Sequence, residues 1–238
     1  MIGTTPHERA YIGPFFLFLA FLLFSELVGK LDAFSGHWAI VSSKYWIFPT
    51  QTAICALMLY RWRSHITFGP WRGMVLAVIA GVISLLAWVW VMPQFCEWLA
   101  ALFGKTIDPR VVGFDPAFFG KDGAHYWTNV TIRMLRMVII VPLVEEIFWR
   151  GFLLRFFIKD EFHTVPFGEF TWKSFGLVSV LFCFEHQMAD WPGALITSVL
   201  YNVVAYRTRS LAACVVAHAV TNLGLGIYIL KTGQFGFW

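Results

Sequence analysis

The sequence predicts an all-α fold, a polytopic transmembrane helical bundle of about seven spans (six to eight), and three observations carry that expectation. Of the 238 residues, 58% are hydrophobic and 18% aromatic, while only 13% are charged, about half the share usual in a soluble domain. The apolar residues gather into runs close to the roughly 20 residues that a helix needs to cross a bilayer core. Pro, Gly, Lys and Arg punctuate the chain between those runs. We therefore read residues 1–238 as a single integral membrane domain whose core forms among its own helices. The net charge of +4 fits basic loops beside a membrane. It does not fit a nucleic-acid binder, which would carry a basic stripe with aromatics between.

Each element has its own warrant. The first run, 11–28, is preceded by MIGTTPHERA, which lacks the n-region, h-region and cleavage site of a signal peptide, so it is expected as a retained span. Spans at 45–60 and 74–92 follow. Residues 94–103 hold bulky apolar side chains and one Glu, and are expected to lie flat at the interface. The polar stretch 105–122, with Pro109, Pro116 and two glycines, is expected as a loop. Spans are expected next at 133–157, 175–189, 193–206 and 211–230, with the turn Ala189-Asp190-Trp191-Pro192-Gly193 between the second and third of these. Cys55, Cys96, Cys183 and Cys214 are scattered through apolar runs with no C-x-x-C spacing, and read as small buried residues. With seven spans, Arg9, Arg61, Arg63, Arg72, Arg155, Lys159, Lys173, Arg207 and Arg209 share one side, and acids dilute the cations of the other. By the positive-inside rule the N-terminus is expected in the cytosol.

A charge at mid-membrane costs roughly 2.5–3.5 kcal/mol on insertion scales, so such residues are paired or functional. The first three spans contain one clear case, Glu26, near an end. The last four contain Glu145, Glu146, Arg150, Glu185, His186, Asn202, His218 and Asn222. Any chemistry is therefore expected on the helices of 126–230.

Helical spacing sorts these residues. In the stretch VEEIFWRGF, Glu146 and Arg150 stand four apart with the acid N-terminal, the favourable order for an ion pair. Glu145 lies about 100° round the helix, has no obvious local partner, and is the best candidate for a working carboxylate. The plainer alternative is that Glu145 only pairs with a histidine from another helix. Pro142 removes a backbone hydrogen bond within this helix and favours a kink. Phe182 and His186 are four apart, as are His218 and Asn222, so each pair shares a helix face. At about 1.5 Å per residue, Glu145, His186 and His218 stand roughly 14–20 Å from Arg155, Lys173 and Arg209. That depth allows a shared site.

These motifs resemble those of the CAAX-type prenyl endopeptidases, also called the CPBP family, whose members are intramembrane glutamate proteases; the general look is that of the bacterial CAAX-protease-related subgroup. The matching residues are Glu145-Glu146-Ile147-Phe148-Trp149-Arg150, Phe182-Cys183-Phe184-Glu185-His186 and His218-Ala219-Val220-Thr221-Asn222, within about 134–225. The resemblance implies that Glu145 and His186 activate a water, that His218 and Asn222 stabilise the oxyanion, and that Glu146, Arg150 and Phe182 support them. It implies a metal-free endopeptidase acting on a membrane-associated protein or peptide. Glu185 departs from the pattern, where an apolar or small residue is expected.

Two other readings compete. Two histidines and a carboxylate are also a zinc set, which would make the same site a zinc-dependent hydrolase. Buried Glu and His also build proton relays, so the chain could instead be a non-catalytic scaffold or relay. G-x-S-x-G and H-E-x-x-H are absent, so serine-hydrolase and zincin patterns do not compete. The partners expected are the lipid bilayer and a membrane-associated substrate, with no nucleic acid. The setting expected is a bacterial plasma membrane.

Overall fold

The computed structural model describes residues 5–35, 37–104, 113–121 and 123–238. Among these residues it is helical, with no strand. The α-helices are α1 (Pro6–Ser35), α2 (Trp38–Val41), α3 (Ser43–Trp62), α4 (Met74–Leu86), α5 (Met92–Phe103), α6 (Ala124–Leu135), α7 (Val141–Glu146), α8 (Leu154–Phe156), α9 (Trp172–Leu181), α10 (Trp191–Thr208) and α11 (Leu211–Thr232). π-helical turns join α4 to α5 (Ala87–Val91), α6 to α7 (Arg136–Ile140) and α7 to α8 (Ile147–Leu153).

Among the described residues, three helical stretches are long and apolar enough to cross a membrane: Pro6–Leu31, Met74–Phe103 and Leu211–Thr232. The chain is an all-α membrane bundle, as its composition predicts. The other expected spans fall on α3, on the run from α6 to α8, on α9 and on α10. These are helical but shorter, more polar or charged along their length. Residues 94–103 do not form a separate interfacial helix. They continue the apolar helix that starts at Met74, because the π turn before Met92 lets the helix run on through Pro93, which has no N–H to contribute. Of the expected loop 105–122, residues 105–112 and 122 lie outside the described residues. The described part, 113–121, forms turns.

The chain divides into two compact units. The first comprises Met1–Ile66 and Phe114–Val144. In it α1 packs along α3, and buried Gln51 of α3 donates to the Phe18 carbonyl at 2.8 Å while its Oε1 accepts from Arg136 Nε at 2.8 Å. Tyr45 stacks on Phe118 and donates its hydroxyl proton to the Asp115 carbonyl at 2.6 Å, which anchors the turn at 114–119.

The second unit comprises Thr67–Gly113 and Glu145–Trp238. Its densest contact is α4 against α11. Buried Ala77, Ala80, Gly81 and Ser84 make one small-residue face on α4, the pattern that lets membrane helices approach closely. A Cβ at Gly81 would fall 2.5 Å from the Ala217 carbonyl oxygen. The Thr221 hydroxyl donates to the Gly81 carbonyl at 2.8 Å. α11, which carries His218, is thus held at a depth set by a missing side chain.

Candidate functional site

The site builds outward from Arg150. Val144 to Arg150 are all buried, and Arg150 is fully so. A guanidinium there requires hydrogen-bond acceptors around its whole fork. Nη1 donates to Glu146 Oε1 at 3.1 Å, Nε to Asn202 Oδ1 at 3.2 Å, and Nη2 to the carbonyl and hydroxyl of Ser198, both at 3.2 Å. The rings of Phe182 and Tyr201 lie 5.0 and 5.3 Å from its central carbon, within cation–π range. The Glu146–Arg150 pair is where its spacing puts it. Ser198 and Asn202 carry no assignment from the motifs, although their own four-residue spacing on α10 is the signal that would have found them.

Glu146 turns a second way. Its Oε1 also accepts from His218 Nδ1 at 2.9 Å. On the other side of the same imidazole, His218 Nε2 lies 4.0 Å from Glu145 Oε2. The neighbouring carboxylates therefore converge on the two nitrogens of one histidine, whereas the sequence expectation has Glu145 pointing elsewhere. The reason is reach. Adjacent positions diverge by about 100° at Cβ, but two glutamate side chains can close around a ring standing between them. Tyr201 flanks that ring at 5.4 Å and is fixed by its hydroxyl, which donates to Thr221 Oγ1 at 2.6 Å. Asn222, half-buried, follows His218 one turn along α11.

The second motif is not a continuous helix. α9 is capped by Thr171, whose hydroxyl accepts from the Ser174 N–H at 3.1 Å. It ends in a 3₁₀ turn over Phe182–Glu185, and His186 has extended backbone (φ −107°, ψ 160°). The helix break expected at 189–193 comes earlier because Pro192 opens α10 instead of ending a helix. The histidine still finds its partner four residues back. Nδ1 lies 3.1 Å from the Phe182 carbonyl oxygen. A carbonyl only accepts, so Nδ1 carries the proton and Nε2 keeps its lone pair. Phe182, almost fully buried, packs its ring on His186 at 5.0 Å and on Trp149 at 5.5 Å. The Trp88 ring stands 5.5 Å from His186, with its indole N–H donating to Thr197.

Glu185 joins the two motifs. Its Oε2 accepts from the Trp149 indole N–H at 2.8 Å, and its electrostatic neighbours are Arg150, Glu146 and Glu145. Those of His186 include His218 and Asp190. The second unit thus gathers residues of all three motifs into one buried neighbourhood. Within it, no hydrogen bond or ion pair joins His186 to Glu145 among the described residues. No group of three or more His, Cys, Asp or Glu side chains is arranged to hold a metal among them either.

Residues 127–224 match a family model described as Type II CAAX prenyl endopeptidase Rce1-like. No curated protein and no solved structure matches the chain. The matched segment contains every residue of the three motifs, from Glu145 to Asn222. Over that segment, less than half of its length, the chain is similar to the type II CAAX prenyl endopeptidases.

Proposed function

We propose that this chain is an intramembrane glutamate endopeptidase that cleaves a membrane-associated protein or peptide with a water held between Glu145 and His186. The observation that carries the reading is the convergence of Glu145, Glu146 and His218, at 4.0 and 2.9 Å, in the neighbourhood of His186. In the proposed step Glu145 takes one proton from the water, and the water oxygen bonds to the scissile carbonyl carbon. His186 Nε2, left with its lone pair by the bond from Nδ1 to Phe182, accepts a hydrogen bond from the water's other proton. The oxyanion accepts from the Asn222 amide and from His218 Nε2–H. Since Nδ1–H is engaged with Glu146, that second donation uses the doubly protonated ring. On collapse the C–N bond breaks and the proton held by Glu145 passes to the leaving amine. Glu146 and Arg150 hold the helix and fix the His218 ring, while Phe182 holds His186. The clustering of Lys and Arg at one set of span ends supports an N-terminus in the cytosol, and the bacterial plasma membrane setting rests on the resemblance to the bacterial subgroup.

The test is Glu145→Gln, which keeps shape and loses the base. With purified protein and a CAAX-type peptide, prenylated and unprenylated, cleavage is expected to fall about 10²–10⁴-fold with no loss of thermal stability. Full activity in that variant sinks the mechanism. A chelator is expected to leave wild-type cleavage intact. Loss of activity restored by zinc would replace this reading with the metal-dependent one.

A further inference from the structure

The end of α10 and the start of α9 enclose an open recess of about 540 Å³ that plays no part in the proposed chemistry. Its walls are aromatic. Phe170 meets Tyr206 edge-on at 4.9 Å and Trp172 at 5.0 Å, and Phe175 stacks on Tyr206 at 5.9 Å. Phe170 and Trp172 are 43% and 79% exposed, and they stand where an apolar helix gives way to charge. That is the signature of a side chain at the bilayer–water interface. The recess is also lined by Arg207, Arg209 and Glu169, two cations against one acid. Neither arginine enters an ion pair among the described residues.

Arg209 carries the argument. It is the one non-glycine residue with a positive φ, 51°, among the described residues. It occupies the left-handed position after α10, with its N–H on the Ala205 carbonyl at 2.9 Å. Helices place glycine or asparagine there because a Cβ is strained. Capping does not require the guanidinium, since Arg72 Nε already donates to the Thr208 carbonyl at 2.6 Å. A second accommodation lies beneath it. A Cβ on Gly168, itself at φ +80°, would fall 2.8 Å from both the Ala205 carbonyl oxygen and Arg209 Cγ. The backbone thus tolerates strain at a position that glycine would fill without it, and that strained position places an arginine at the rim of the recess. Strain of this kind points to function.

We propose that this recess binds the phosphate of an anionic phospholipid, with Arg207 and Arg209 on the phosphate and the glycerol and upper acyl chain against Phe170, Trp172 and Phe175. Guanidinium forks match phosphate oxygens, and basic residues at the membrane surface are the usual readers of anionic lipid. The aromatic walls select a lipid over a soluble phosphate, which has nothing to lay on them.

The test uses the full chain, purified in detergent, with lipid retention read by native mass spectrometry. Wild type is expected to retain phosphatidylglycerol in preference to phosphatidylcholine. Arg207→Gln and Arg209→Gly are each expected to lower that retention about fivefold. Arg209→Gly relieves the left-handed strain, so it is expected to melt no lower than wild type, which separates a binding role from a structural one. Lys159→Gln, an exposed lysine outside the recess, is expected to leave retention unchanged. The proposal fails if the two arginine variants retain the lipid as wild type does, if phosphatidylcholine is held equally well, or if Lys159→Gln costs as much. It also fails if millimolar inorganic phosphate displaces the lipid, since the recess would then be a small-anion site.

Discussion

Glu185 shows how much a single hydrogen bond can position. The residue lies beside His186, outside any regular helix, and its carboxylate is tied to Trp149 within the first motif at 2.8 Å. Trp149 in turn packs on Phe182, whose carbonyl holds the His186 ring. The turn that carries His186 is thereby fastened to the helix that carries Glu145. Replacing Glu185 with Gln keeps an acceptor for the indole, while Leu leaves a buried N–H unsatisfied at a cost of about 1–3 kcal/mol. We expect Glu185→Gln to melt and cleave close to wild type. Glu185→Leu is expected to melt lower and to lose kcat more than KM, read by thermal denaturation and steady-state kinetics. Equal damage from both would mean that the charge matters and not the bond. This contact spans 36 positions in the chain and no local spacing announces it. By contrast the pair Glu146–Arg150 was legible because helical geometry alone brings residues four apart together. Glu145 falls between the two. Its identity was legible, but its approach to His218 depends on a partner from another helix.

Helices place these residues through departures from regularity that periodicity does not announce. The π turns at Arg136–Ile140 and Ile147–Leu153 bracket the VPLVEE segment, and such bulges often mark functional sites. Pro142 pointed to an irregularity here, but not to its form. The break before α10 was visible in Pro192 yet misplaced, because proline is well tolerated in the first turn of a helix. The face of α4 is a clearer case. Small residues at 77, 80, 81 and 84 can be read from the sequence, but only the partner helix gives them meaning. A methyl group at Gly81 meets a backbone oxygen of α11, 2.5 Å away, and a backbone atom cannot rotate aside. We therefore expect Gly81→Ala to destabilise the protein by about 1–3 kcal/mol. It should also lower cleavage, since His218 follows Ala217 directly. Gly176 in α9 is the control. Nothing lies within 4 Å of its missing side chain, so Gly176→Ala is expected to be neutral or to stabilise by up to about 1 kcal/mol. Equal melting of the two variants would mean that the α4–α11 approach is not what sets the position of His218.

For the whole molecule, membrane residence was legible from composition, and the placement of helices largely so. The number of crossings was less legible, because the hydropathy of a run does not report whether a helix within it is continuous. α9 is 10 residues long, about 15 Å, and with its 3₁₀ extension it still falls short of a bilayer core of about 30 Å. That shortfall leaves one inference intact. The start of α9 and the end of α10 line the same recess, so the chain comes back to the side from which it entered α9 whether these helices cross the bilayer or only dip into it. α11, 22 residues and about 33 Å long, then crosses once. Lys159, before α9, and Lys231, at the end of α11, should therefore face opposite sides, with Lys159 in the cytosol as its basic neighbours predict. Single-cysteine variants can read this, because the four native cysteines are buried and contribute little background to a membrane-impermeant thiol reagent. Lys159→Cys is expected to label in inverted membrane vesicles and not in intact spheroplasts, and Lys231→Cys the reverse. Labelling of both from one side would mean that α11 does not cross, and the reading of Leu211–Thr232 as a span would fall. The reverse pattern at both positions would keep the span and invert the orientation, setting the cations of 155–173 outside the cell against the positive-inside rule.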